Sequence, residues 1–344
     1  MREMEMVQKI KIGTRGSALA LVQTDEVIRA LHKRYPELET ERVVLRTKGD
    51  KILDKPLLDF GGKGAFITEF EEALLNGRID LAVHSAKDMP MELADGLVLA
   101  GTLPRADARD VLVMRKGVLA GQAAFMGQSV QHGASPQETG GMEKETKASG
   151  LVIGTGSLRR QFQLKRLFPD AVCVNIRGNV QTRLQKILDG QCDGVILAAA
   201  GLERLGLMEE KEFDYRCFSY EDMLPAGGQG IIAMESRQEE EIMELVKGIS
   251  DWNAYMELET ERRVLQLLDA GCQEAIGVIA QVEDDRIFLK MLREKNGVIT
   301  GRQGQDTAAN HLKLADTLVG QESPCSTTCS KIQGKLADTL VGQE

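Results

Sequence analysis

Ser85, Lys87 and Asp88 fall within four residues of one another in LAVHSAKDMP, at the end of an apolar run and just ahead of Pro90. They suit the mouth of a cleft, presented there by the carboxyl end of a buried strand. They equally suit a surface turn in which Lys87 and Asp88 form a solvated ion pair of little energetic weight. A second set is more widely spread: Arg15, Arg46, Arg159, Arg160, Arg177, Arg183 and Arg204, joined by Lys63 in FGGKGAF and by Lys87. Guanidinium forks bind carboxylates and phosphates in bidentate fashion, so many of them around one cleft suit a small ligand with several anionic groups. Ordinary solvated helix faces are the alternative. Arg159 and Arg160 fall in the first turn of an expected helix, where the dipole disfavours cations unless an anion is near. Cys272, in LLDAGCQEAIGV, is a loop thiol that could be an accessible nucleophile or a buried, inert group; Cys173, Cys192 and Cys217 read as packing residues.

The elements that must carry these residues are written twice. IKIGTRGSALALVQ reads as a strand, a Gly-Thr turn and a helix capped by Ser17; LVIGTGSLRRQFQLKRLFP repeats the scheme with Ser157 as cap and Pro169 as stop. VVLRTKGD then parallels VCVNIRGN, and NGRIDLAVHSAKD parallels DGQCDGVILAAAGLERL. Strands alternating with helices predict an α/β fold of two similar lobes with mainly parallel sheets, whose ligands sit beyond the carboxyl ends of the strands. In that frame SAKD is what the strand IDLAV presents to the cleft. Residues 7–103 with 231–247 form the first expected domain and 109–224 the second, the latter interrupted by a Gly, Gln, Ser and Thr-rich insertion at 118–148. GIIAME is expected to return and complete the first sheet, so two crossings would permit hinge motion. Residues 252–312, an amphipathic helix followed by short strands, predict a small α+β domain. The remainder, 313–344, contains KLADTLVGQE twice.

The 344 residues carry a net charge of −9, which argues against a nucleic-acid backbone as partner. No apolar run approaches bilayer length and MREMEMVQKIKIG lacks an export signal, so a cytoplasmic location without membrane association is expected. The six cysteines show no metal-ligand spacing, and no metal is expected.

In order along residues 7–312, GTRGSALA, GGKGAF, HSAKDMP, GTGSLRRQ, IRGNVQTRL, LAAAGLERLG, LPAGGQG and GCQ closely resemble the porphobilinogen deaminase (hydroxymethylbilane synthase) family. The resemblance implies two lobes similar to periplasmic binding proteins plus a small third domain. It also implies a transferase of haem biosynthesis that acts as a monomer and joins four porphobilinogen units head to tail with loss of ammonia. By the same resemblance Cys272 holds a dipyrromethane cofactor through a thioether, Asp88 is the catalytic carboxylate, and Lys87 acts beside it. Ser85, Lys87, Asp88, Ser157, Arg159, Arg160 and Arg183 would contact the cofactor. Arg15, Ser17, Lys63, Phe66, Arg159, Arg177, Arg183, Arg204 and Gln229 would contact substrate. Where the family reads Val-Pro-Ile-Gly after GCQ, Glu274 and Ala275 stand here, a departure beside the attachment thiol that could affect cofactor loading. The rival from another class is a non-catalytic two-lobed binder of a small polycarboxylate; it assigns no task to Asp88 or Cys272.

Overall fold

The computed structural model describes residues 8–46, 68–118, 150–269 and 275–320. Lys63, Phe66, Cys272, Glu274, the 118–148 insertion beyond Val118 and the second KLADTLVGQE copy lie outside the described residues.

The first lobe contains β1 (Lys9–Arg15), α1 (Ala18–Arg34), β2 (Glu39–Leu45), α2 (Thr68–Leu75), β3 (Leu81–Ser85) and β4 (Leu97–Thr102). The second holds β5 (Asp110–Arg115), β6 (Val152–Gly154), α3 (Leu158–Leu167), β7 (Val172–Val174), α4 (Val180–Leu188), β8 (Gly194–Ala198), α5 (Ala199–Arg204) and β9 (Phe213–Cys217). The chain then returns as β10 (Ile232–Arg237) and α6 (Glu240–Lys247). Last come α7 (Trp252–Leu267), β11 (Ala275–Glu283), β12 (Arg286–Lys295), β13 (Val298–Thr307) and α8 (His311–Gly320).

The two five-stranded sheets follow one pattern, β2-β1-β3-β10-β4 and β7-β6-β8-β5-β9. In each, the first three strands pair in parallel, and the fourth runs antiparallel to both neighbours. That fourth strand is the one that has just crossed over: β5 enters from the first lobe and β10 returns from the second. GIIAME thus completes the first sheet from its interior, between β3 and β4.

The repeated strand-turn-helix scheme has a steric basis. A Cβ on Gly13 would come within 2.5 Å of Ile79 Cδ1, and one on Gly154 within 2.7 Å of Ile176 Cδ1, so neither strand end tolerates a larger residue without repacking. Thr14 and Thr155 follow them, both buried. Ser17 Oγ then accepts from Ala20 N at 3.3 Å and Ser157 Oγ from Arg160 N at 3.5 Å, so both helices begin on the expected caps. Their buried faces differ: α1 turns Gln23, Thr24, Val27 and Leu31 inward, whereas α3 buries Arg159, Arg160, Gln163 and Leu164.

The third unit is an antiparallel meander, β11-β12-β13, with α7 and α8 packed against it through Val264, Leu289, Leu314 and Leu318. Asn296 and Gly297, both at positive φ, make the two-residue turn between its last strands. The first KLADTLVGQE copy supplies most of α8. No helix among the described residues is long and apolar enough to cross a membrane.

All three units meet at the crossings. Arg105 in the first crossing grips Glu261 of α7 with two nitrogens, at 2.7 and 3.2 Å, and donates Nε to Gln229 O of the second crossing at 3.0 Å. Glu261, fully buried, also accepts from Gly228 N at 2.6 Å and Ala280 N at 2.7 Å. A buried carboxylate with this many donors is compensated for the water it has lost.

Candidate active site

β3 is apolar through Leu81, Ala82 and Val83, all buried, and its direction carries the chain to the sheet's carboxyl edge. There Ser85 exchanges hydrogen bonds with the Gln23 amide of α1, accepting from Nε2 at 2.8 Å and donating to Oε1 at 3.0 Å. A single turn of tighter helix, Ala86–Asp88, follows, with Ala86 buried and Asp88 exposed. The second crossing backs this turn: Ala86 N donates to Ile231 O at 3.0 Å, and Gly228, at φ 75°, lies so near that a Cβ would sit 3.0 Å from the Ala86 carbonyl carbon. Gly228 combines a left-handed backbone with a close approach, and both demand glycine.

The Asp88 carboxylate makes no side-chain hydrogen bond among the described residues. Burial pulls the Lys87 ammonium below its ordinary value; Asp88 pulls it back up, Arg160 and Arg159 lower it further, and Asp110 opposes them. Arg183 of α4 is also pulled down, first by burial and then by the charge of Arg160, while Asp88 works against the shift. The charges of Arg159, Arg160 and Asp110 thus act on Lys87, and that of Asp88 acts on Arg183, so side chains of the two lobes lie within electrostatic reach of one another.

Arg159 and Arg160 are 5% and 6% exposed, and the anion that their first-turn position calls for is internal. Asp110, wholly buried at the start of β5, receives Arg159 Nη1 at 2.5 Å, Arg160 Nη2 at 2.7 Å and Arg160 Nε at 3.1 Å. Gln229 Nε2 adds a fourth donor at 2.9 Å. Burial alone would raise the Asp110 carboxyl, but the two guanidinium groups outweigh it and hold the group well below the usual carboxylate range. Their remaining reach goes partly to backbone, Arg159 Nη1 to Leu224 O at 2.7 Å and Arg160 Nη1 to Ile196 O at 2.8 Å. Arg159 Nε is buried without a hydrogen bond among the described residues.

The other expected contacts are spread around this centre. Arg15 ends β1 and Ser17 caps α1; Ser157 caps α3, and Arg177 lies in the loop between β7 and α4. Arg183 donates Nε to Gly178 O at 2.8 Å. Arg204 reaches from α5 to the first lobe, with Nε 3.3 Å from Glu26 of α1 and Nη2 donating to Gly230 O at 3.1 Å. Gln229 is buried in the second crossing, donating also to Ala108 O at 2.7 Å. Arg46 is exposed just after β2. Cys173, Cys192 and Cys217 are free thiols whose pKa values are raised by burial, as suits packing residues.

Sequence reasoning missed Asp110, Gln23, Arg105 and Glu261. Asp110 had one local signal, an acidic residue opening the apolar run VLVM, where only a buried strand is expected.

A family profile described as porphobilinogen deaminase, dipyromethane cofactor binding domain, matches residues 10–244. The porphobilinogen deaminase of Roseiflexus sp. (strain RS-1) is 40% identical over 326 residues, covering 92% of this chain and 97% of that one. Those of Lachnospira eligens and Nitrobacter hamburgensis are each 43% identical, covering 80% and 82% of this chain and 85% and 81% of theirs. A solved domain, BvgS VFT2 of Bordetella pertussis, is 15% identical with a TM-score of 0.40, over 70% of this chain and 86% of that one. On the profile and the relatives together, this chain belongs to the porphobilinogen deaminase family.

Proposed function

We propose that the chain makes hydroxymethylbilane, joining four porphobilinogen molecules head to tail with release of ammonia, with Asp88 as its working carboxylate and Cys272 holding a dipyrromethane primer. The observation that carries the assignment of Asp88 is its setting: an exposed carboxylate on a turn backed by Gly228 and Ile231 of the second crossing, within electrostatic reach of Arg183 of the opposite lobe.

The donor set fits the primer. Lys87, Arg159, Arg160 and Arg183 bring four cations against the two carboxylates Asp88 and Asp110, and a buried guanidinium N–H of Arg159 remains unpaired among the described residues. A positive excess of this kind suits a molecule with two carboxylates on each pyrrole ring. In this reading Arg159 and Arg160 share themselves between Asp110 and the ligand, and Arg15, Ser17 and Arg177, just past the ends of β1 and β7, with Arg183 of α4, supply the further contacts. Lys63 and Phe66 belong to the same proposal as substrate contacts. Arg204 and Gln229 join the substrate site to the crossings, and Ser85 and Ser157 hold the cofactor side.

Loss of ammonia from the aminomethyl group of porphobilinogen leaves a methylene-pyrrolenine whose positive charge is shared onto the ring nitrogen. Asp88 accepts the pyrrole N–H and holds that charge, and its fixed position means little reorganisation is needed when the charge appears. Lys87 balances the carboxylate and turns its ammonium toward ligand carboxylates. When bound, the dipyrromethane would supply the free pyrrole carbon that takes up the electrophile, with the proton on that carbon lost in exchange for the new carbon-carbon bond. We place this activity in the cytoplasm, in a monomer.

Intact mass of the purified protein tests the proposal. A covalent surplus matching a dipyrromethane, lost in Cys272→Ser, together with porphobilinogen consumption, is the expected result. An unmodified mass without turnover would overturn it.

A further inference from the structure

The turn bearing Asp88 is tethered on both flanks by charged groups that the proposed chemistry does not use. Ahead of it, His84 Nε2 lies 2.8 Å from Glu235 Oε2 on the neighbouring β10, and the His84 and Phe70 rings pack in a T-shaped pair with centroids 5.2 Å apart. Glu235 is fully buried, and its second oxygen has no hydrogen bond among the described residues. Behind the turn, Arg262 of α7 donates Nη2 to Pro90 O at 2.6 Å and to Met91 O at 2.8 Å. Gln266, one helical turn later, adds a bond to Met91 O at 3.2 Å. Arg262 Nη1 is buried and likewise without a hydrogen bond among the described residues. Burial pulls the Arg262 guanidinium below its ordinary value, and the charge of Glu235 opposes that shift, so the two groups feel one another.

One guanidinium therefore joins the segment immediately after Asp88 to the helix that runs on toward Cys272. Pro90 lies outside the β3 ladder, so no neighbouring strand among the described residues takes its carbonyl or that of Met91; the helix side chains do so instead. Without them, residues 90 and 91 would depend on water for those bonds, and the exposed end of the turn would be free to drift. Drift of about 1 Å at a reacting centre is enough to cost roughly 10²-fold in rate.

We propose that Arg262 is a positioning residue: by holding the carbonyls of Pro90 and Met91 it sets Asp88 at a fixed distance from the helix leading to the cofactor cysteine, while Glu235 and His84 fix the other flank. The inference rests on Asp88 being the working carboxylate.

The test compares Arg262→Met, Arg262→Lys and Asp88→Asn with the parent in the full chain. The measurements are cofactor content by intact mass, kcat and KM for porphobilinogen, melting temperature, and amide hydrogen exchange over residues 84–96. Exchange is followed in the loaded protein and in the cofactor-free Cys272→Ser background. Arg262→Met is expected to keep its cofactor, to hold KM within about twofold and to lose roughly tenfold or more in kcat. Exchange over 84–96 should quicken with and without cofactor. Arg262→Lys should restore most of the rate, since an ammonium can donate to both carbonyls. A rise in KM with unchanged kcat would overturn the proposal, as would a lysine variant no better than methionine at equal melting temperature. If Arg262→Met does not accumulate as folded protein, Arg262→Lys and Gln266→Leu decide on the same measures. A stalled Asp88→Asn beside a normal Arg262→Met sinks this inference alone; an active Asp88→Asn sinks the reading of Asp88 and the inference with it.

Discussion

Asp88 and Asp110 both stand near strand ends, one in each lobe, and each has arginines of the second lobe as its electrostatic neighbours, Arg183 for Asp88 and Arg159 with Arg160 for Asp110. Asp88 follows a parallel strand and is exposed, with no side-chain hydrogen bond among the described residues. Asp110 opens an antiparallel strand, is wholly buried, and takes donors from Arg159, Arg160 and Gln229. The contrast separates two uses of a carboxylate. A group whose lone pairs are already taken stabilises the framework and has little left for a ligand, whereas an open one beside focused cations can serve chemistry. Asp110 keeps the buried arginine face of α3 compatible with a folded lobe, and with those arginines it sets the charge that acts on Lys87, the neighbour of Asp88.

The sharpest way to break this comparison is to neutralise each acid in turn. Asp88→Asn should lower porphobilinogen turnover roughly 10²- to 10⁴-fold while leaving thermal unfolding nearly unchanged. If the turnover of Asp88→Asn stayed near that of the parent, the division of labour would fail. Asp110→Asn should do the reverse at first order. It strands two guanidinium groups in a dry site and should cost about 3–5 kcal/mol in urea unfolding. Replacing all three members, as in Asp110→Leu with Arg159→Met and Arg160→Met, should recover much of that loss. The triple variant should still fail to hold the cofactor, because the cations have gone with the acid.

Much of this contrast was beyond the reach of the sequence. The duplicated strand-turn-helix scheme was legible because its signals are local: an alternating apolar strand, a glycine where no Cβ fits, and a serine cap three residues before its donor. The position of Asp88 was legible for the same reason, as the end of an apolar run. Asp110 pairs with residues 49 and 50 positions away, and Ser85 with Gln23 across 62, so no periodicity marks either contact. The first turn of α3 did register an unmet need for an anion. Only the antiparallel insertion of β5 into the second sheet shows that the protein answers it from within.

pH offers a finer probe of the buried acid. Its folded pKa is depressed, so its contribution to stability is fully present above the ordinary value near 4 and drains away as pH falls toward the lower folded value. Below about pH 4 the stability gap between the parent and Asp110→Asn should narrow by about 1.4 kcal/mol per pH unit. A gap that stayed constant down to pH 3 in denaturant titrations would mean that Asp110 is not ionised in the folded protein.

The smallest effect tests whether the two copies of the scheme are energetically alike. Ser17 and Ser157 cap their helices with similarly long bonds, 3.3 and 3.5 Å, so Ser17→Ala and Ser157→Ala should each cost about 1 kcal/mol by the cap alone. The helices they open are not equivalent, however. The donor to Ser157 is the backbone of Arg160, whose side chain is bound to Asp110, so loosening this first turn also disturbs the buried pair. The donor to Ser17 is Ala20, which carries no such burden. A larger loss for Ser157→Ala, shrinking to the Ser17→Ala value in the triple-neutral background, would show that cap and ion pair are coupled. Equal losses in both backgrounds would show that the two lobes begin their helices independently of the charges behind them.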